Sequence, residues 1–460
     1  MRLSGISLVL FANSVCGSLL RIIKPELIPG DTSPDFIDHS PALTERSVRE
    51  QLSEVHLNDA CPVNREWLKS PMQTGVQMTP IGLFQIVGEL ARFSISIVYT
   101  AASEGSPDAR FVIKYMLDCS ALEEHIPVDL TREYTLSKVL SGTRVTPEVY
   151  YLSPPIAFSA EFGFALSDGQ VQDCVAARAQ VRYIVEERVG PTLRAYMTTM
   201  GLRMRSTRNS REAQIQHILE VVSVGHATLN SLQTLHSTGV VHGDIHDRNL
   251  AFEALVNDML ELFPSNGQNV VLLDLGMSGI ISNPEEMKSS EFASQRIASP
   301  WQLRGDSRGF RDDAFRVLEM MARFMSFGRF DQLFTRIDGS LLGVPDVTSA
   351  YFRFKRTVNF FGERQDFNIR GWLSLHFDAY LSYTQVPSTV KTTLSKLFSR
   401  LRTAVLELMT PHTPVPYEFL FEELRKIRLL LQKELHTPSP SDEEVARLAG
   451  PEELMFEFEE

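Results

Sequence analysis

After Met78 the chain falls into short runs of apolar, β-branched and aromatic residues. Ile81–Leu90, Phe93–Thr100 and Phe111–Met116 each read as a strand. The third run, Phe111-Val112-Ile113-Lys114-Tyr115, sets a lysine inside an apolar strand. Another apolar strand lies between Val181 and Val189 and stops at Gly190-Pro191, a pair that punctuates chains. Beyond it the period changes. Gln214–His236 places Ile218, Val221, Val222, Leu229, Leu232 and Leu235 at helical spacing, which predicts a long, buried helix. Val270–Leu273 reads as a buried strand. A strongly apolar helix follows Gly309 to about Met325, and helical patterning runs on to about His436. Strands first and helices afterwards predict an α+β chain.

The flanks differ from this body. Pro25, Pro29, Pro34 and Pro41 break the early segment, and a helical patch spans roughly Leu43–Leu57, so residues 18–77 are expected to form an N-terminal extension. Thr437-Pro438-Ser439-Pro440 closes the helical part, and 441–460 is expected to be an acidic tail. The first residues have one arginine, Arg2, then an uncharged run to Cys16 and small residues after it. That pattern predicts a secretory signal peptide over 1–17, with Val15 and Gly17 at −3 and −1 of the cut, and hence a secreted protein. The run is too short to span a bilayer and no longer one follows, so no transmembrane segment is expected.

Composition narrows the classes. With 43% hydrophobic and 22% charged residues, 460 residues can bury a sizeable core. A net charge of −12 without a Lys/Arg block argues against nucleic acid as a partner. Of four cysteines, a cut after Gly17 would leave Cys61, Cys119 and Cys174. Three are too few for a disulfide framework, and the set is compatible with one bridge and one free thiol.

The polar residues that interrupt the buried runs carry the chemistry. His242-Gly243-Asp244 follows Val240-Val241, and Asn249 stands five residues beyond Asp244. Val270–Leu273 runs straight into Asp274-Leu275-Gly276. Such a set suits phosphoryl transfer: Asp244 orients a hydroxyl, while Asn249 and Asp274 hold Mg²⁺. Lys114 needs an anionic partner if buried, and Glu133, on a segment of helical spacing, is available. The alternative for Lys114 is an edge-strand lysine reaching water.

Lys114, Glu133, Asp244, Asn249 and Asp274, in that order, resemble the protein-kinase superfamily. The resemblance covers about 78–435 and implies a bilobal protein-kinase-like fold. It has a β-rich N-lobe (78–189), a helical C-lobe (190–440) and an ATP cleft between them. Two stretches resemble the casein kinase I and vaccinia-related kinase group: Glu187-Arg188-Val189-Gly190-Pro191-Thr192-Leu193 and Arg311-Asp312-Asp313. By that likeness Glu187 and Val189 line the nucleotide site beside Lys114, and Asp313 anchors the catalytic loop backbone. The implied activity is a secreted, ATP- and Mg²⁺-dependent serine/threonine kinase acting on a protein substrate.

The departures are specific. Leu90–Tyr99, where a glycine-rich phosphate loop belongs, contains no glycine, as in secreted parasite kinases that lack this loop. Gly243 replaces the arginine that would bind a phosphorylated loop. His246 replaces a lysine, as in aminoglycoside and choline kinases, which keeps a small-molecule kinase open as an alternative. The glycine-free loop keeps a pseudokinase scaffold open. Glu186 puts an acid deep in the nucleotide pocket, where it needs a partner or a raised pKa.

Overall fold

The structure, a computed structural model, describes Arg46 and residues 75–105, 108–122, 130–206, 210–253, 269–283, 299, 301, 307–325, 386–408 and 410–436. The expected signal peptide, nearly all of the N-terminal extension and the acidic tail lie outside the described residues, as does most of the patterned stretch between Met325 and Val386.

The chain is mixed α+β. Four strands open it: β1 (Val76–Thr79), β2 (Gly82–Arg92), β3 (Ser96–Ser103) and β4 (Phe111–Asp118). Helix α1 (Leu130–Val139), strands β5 (Val149–Leu152) and β6 (Ile156–Ala157), helix α2 (Asp168–Ala176) and strand β7 (Gln180–Glu187) follow. All pair antiparallel in one sheet ordered β1-β2-β3-β4-β7-β5, with β6 also on β7. β4 is central, between β3 and β7, and six of its eight residues are buried. Lys114 therefore sits mid-sheet, which removes the edge-strand alternative.

The sheet's own core gathers Phe84, Tyr115, Phe162 and Tyr183. Burying side chains of that size contributes about 1.5–3 kcal/mol each. Their hydroxyls are not wasted: Tyr115 donates to Gln77 Oε1 at 2.6 Å, and Gln77 Nε2 donates to the Tyr183 hydroxyl at 3.1 Å. This satisfied network ties edge strand β1 to the centre of the sheet. α2 starts with a capping box, Ser167 accepting from the Gln170 N–H while the Gln170 side chain accepts from the Ser167 N–H. Its Cys174 is disulfide-bonded to Cys119 at the end of β4, with both buried. The bridge settles the open pairing among the expected cysteines.

The helical part contains α3 (Leu193–Ser206), α4 (Arg211–Ser237), α5 (Phe310–Met325), α6 (Ser388–Leu406) and α7 (Tyr417–His436). α4 carries apolar residues on every face because it is surrounded; Ile218, Leu229 and Leu232 share a core with Phe315, Leu394 and Ile427. Two small ladders lie between α4 and α5. β8 (Val240–Val241) pairs with β11 (Gly279–Ile280), and β9 (Leu250–Phe252) pairs with β10 (Val270–Leu272). These ladders fix the loop containing Asp244 and the turn containing Asp274. Among the described residues no helix is long and apolar enough to cross a membrane.

Candidate active site

Lys114 is the hub. Its Nζ donates to both Glu133 oxygens, at 2.8 and 3.0 Å, and lies 3.1 Å from Asp274 Oδ1. α1 delivers Glu133 and the exit of β10 delivers Asp274, so three separate elements meet on one ammonium. Asp274 adopts a left-handed backbone, φ 60° and ψ 69°. Asp and Asn enter that region more readily than other non-glycine residues, and the bend lets a strand end turn its carboxylate aside.

The loop after β8 is held from both ends. Asn249 Nδ2 donates to Asp244 Oδ2 at 3.0 Å and to the Asp244 carbonyl at 3.1 Å. The Leu273 N–H donates to the Asn249 carbonyl at 2.8 Å, and His242 Nε2 lies 3.0 Å from the Leu273 carbonyl. The Asp244 loop and the Asp274 turn are thus stitched together. His246 Nε2 is 3.5 Å from Asp244 Oδ2.

Asp313, fully buried near the start of α5, supports this loop from below. It accepts from the His242 N–H at 2.8 Å, the Gly243 N–H at 2.9 Å and His236 Nε2 at 3.1 Å. The Tyr417 hydroxyl lies 2.6 Å from His236 Nδ1, which leaves Nε2 as the donor toward Asp313. Gly243 has φ +79°, and a Cβ there would come within 2.6 Å of Arg308 Nη1 and 3.0 Å of the Met277 carbonyl. Arg308 therefore fills the space beside Gly243 and donates to Met277 O.

No protein-family model matches the chain, and no curated protein matches it.

The charges follow from the crowding. Burial opposes the charge on Lys114, but Asp274, Glu133 and Glu186 outweigh it and hold the ammonium protonated. Burial pushes Glu133 up to about 7 against Lys114, and Glu186 up to about 8 with Glu133 adding to it. Glu133 receives both Lys114 hydrogen bonds and Glu186 receives none, so at neutral pH the proton sits on Glu186. Asp244 goes the other way. Burial would raise it, but the His246 contact and the nearby His246, Arg316 and His242 side chains lower it below the usual carboxylate range. It is a carboxylate able to accept a proton.

Glu187 and Val189 lie where β7 leaves the sheet. The Glu187 carboxylate accepts from the Glu148 N–H at 3.4 Å. The Val189 N–H has no partner among the described residues. Asn249 spends its Nδ2 on Asp244, which leaves Oδ1, with the Asp274 carboxylate, as oxygen donors of the hard type Mg²⁺ prefers. Among the described residues no three His, Cys, Asp or Glu side chains are grouped to hold a metal by themselves.

Sequence reasoning missed Arg308 and Arg316. Arg316 is buried one turn beyond Asp313 and donates to the Ile245 carbonyl at 3.4 Å. A cation on the apolar face of the α5 pattern was its available signal. Arg308 had none beyond the space that Gly243 leaves.

Proposed function

We propose that the chain is an ATP-dependent phosphotransferase of protein-kinase-like, bilobal architecture that phosphorylates serine or threonine hydroxyls of a protein. The observation that carries the reading is the Lys114 ammonium held between Glu133 and Asp274. The strand order and helix α1, which brings Glu133 to the sheet, support it.

In this reading Lys114 steadies the α- and β-phosphate oxygens, and Glu133 keeps its ammonium aimed. Asp244, ionised and fixed through Oδ2 by Asn249, orients the acceptor hydroxyl and takes its proton. Asn249 and Asp274 hold Mg²⁺, which supplies neutralisation of phosphate charge when bound. The Val189 N–H and Glu187 carbonyl receive the base. The buried Cys119–Cys174 bridge supports passage through an oxidising, secretory compartment. One observation favours a small-molecule acceptor instead: His246 lies beside Asp244, where protein kinases use lysine.

Radiolabelled ATP, given with mixed proteins and with small alcohols, tests both. Transfer to protein that falls about a thousandfold in Asp244→Ala supports the reading. Label on alcohols alone selects the second acceptor. Transfer unchanged in Asp244→Ala removes Asp244 from its role and sinks the proposal.

A further inference from the structure

Glu186 is an acid of this cleft that no hydrogen bond holds. Its carboxyl has no partner of that kind among the described residues, and the residue is half-buried. The sheet register fixes its direction. Lys114 lies opposite Ile184 and Val112 opposite Glu186, so Glu186 stands on the same face as Lys114, one pleat repeat nearer the end of β7. That offset is about 6.6 Å along the strand. Three residues further on is the open Val189 N–H. Glu186 therefore lies between the ammonium suited to phosphates and the backbone donor suited to a base. A nucleotide spanning those two points carries an edge of its base past this carboxyl.

The groups facing Glu186 are Lys114 from β4, Glu133 from α1 and Asp274 from the turn after β10. With two acids and one base around it, and with burial, the carboxyl is neutral at pH 7. A neutral carboxyl offers one O–H donor and one carbonyl acceptor. This is the pattern through which an amide side chain reads adenine, accepting from the N6 amine and donating to N7. Guanine presents acceptors at both O6 and N7, so the Glu186 carbonyl would face a second acceptor.

We propose that Glu186 is a base-selecting residue whose carboxyl pairs with the N6 amine and N7 of adenine, so that the cleft takes ATP over GTP. The inference rests on the nucleotide reading above and names what that reading leaves open, the group that chooses the base.

The test uses the full-length chain with Mg²⁺ and measures affinity for ATP, GTP and 7-deaza-ATP, which keeps the amine but lacks N7. Wild type is expected to bind ATP about tenfold or more tightly than either of the others. Glu186→Gln keeps one donor and one acceptor and retains the preference; Glu186→Leu loses it. Raising the pH through 8 weakens ATP binding by wild type more than by Glu186→Gln, since both proteins share Lys114, Glu133 and Asp274. Equal binding of ATP and 7-deaza-ATP by wild type overturns the assignment without relying on any variant's folding. Full ATP preference in Glu186→Leu overturns it as well. In both cases nucleotide binding itself still stands. Binding of none of the three nucleotides by wild type ends this inference together with the phosphotransferase reading.

Discussion

Replacing Asp313 by alanine is the sharpest test of how the Asp244 loop is built. The substitution removes the acceptor of three hydrogen bonds in one step: His242 N–H, Gly243 N–H and His236 Nε2–H. His242 and Asp313 are fully buried, so water does not replace the lost acceptor. Each orphaned buried donor costs about 1–3 kcal/mol. Two backbone donors alone give about 2–6 kcal/mol, and buried His236, whose Nδ1 already pairs with Tyr417, adds its own share. A loss of about 4 kcal/mol is expected, read by urea titration as a lower midpoint with an unchanged slope. Asp313→Asn retains one acceptor oxygen but aims an amide at a second donor, so it recovers less than half. The pH dependence adds a second check. Burial alone would raise Asp313, but His236, His242 and the Gly243 N–H lower it below its ordinary value. Its contribution is therefore fully present above the unfolded pKa of about 3.9 and is lost as pH falls from there through the folded value. The gap between wild type and Asp313→Ala narrows on acidification below about pH 4. A change under about 1 kcal/mol at pH 7, or a gap that widens in acid, refutes the argument.

Gly243→Ala forces a Cβ against Arg308 and the Met277 carbonyl at positive φ; it is expected to cost about 2 kcal/mol or more in thermal or urea unfolding. Cys119→Ala opens the link to Cys174, 55 residues away in sequence, and the loop-closure relation gives a loss of about 4 kcal/mol, measured against the oxidised wild type. Glu186→Gln removes a half-buried acid whose folded pKa is raised, to about 8. Wild type therefore loses stability relative to this variant as pH rises from about 4.5 to 8, by up to about 1.4 kcal/mol per pH unit. Urea unfolding across that range reads the difference, and parallel curves contradict it. Asp274→Ala takes one anion from Lys114; the Mg²⁺-dependent thermal shift with ATP, worth about 2.7 kcal/mol at a hundredfold excess over Kd, is expected to vanish.

Much of the arrangement was legible because burial constrains what polar residues can do. A lysine within Phe111–Met116 required an anion, and Glu133 was the nearest acid on a helical pattern; the two meet at 2.8 Å. The long α4 and α5 patterns were legible from their periods, and the observed helices run within a few residues of the expected bounds. Strand ends shifted more: the run read as Phe93–Thr100 turns at Phe93–Ile95 and pairs only from Ser96. Phe93 and Ile95 have strand propensity, but the hairpin needs residues for its turn. The stretch from Ile156 to Ala179 was not legible, because its elements are short and its packing depends on a disulfide whose pairing spacing does not specify. Arg308 was hidden for a different reason. Its position follows from a missing side chain at Gly243, and a vacancy has no signature of its own in a sequence.

The same stretch bears on the glycine-free hairpin between β2 and β3. Without glycine, the backbone of this tip cannot rely on free φ to fold down over phosphates. It is fastened instead. The Phe93 carbonyl accepts from the Ala165 N–H at 3.2 Å, the Ile95 carbonyl accepts from the Leu117 N–H at 2.8 Å, and Arg92 Nη1 bonds the Gly163 carbonyl. Ala165 leads into α2, and α2 is bolted through Cys174 to the end of β4, the strand that carries Lys114. The tip, the Ile156–Ala179 stretch and the Lys114 strand thus form one braced unit. A mobile glycine loop loses chain entropy when it closes on a ligand, whereas a braced hairpin has lost that freedom on folding. The tip's contribution to binding is therefore set by where the brace holds it, and the brace depends on the disulfide. On the proposed function, reducing the Cys119–Cys174 bond is expected to weaken nucleotide binding as well as the fold, whereas changes at the Asp313 support leave the brace intact.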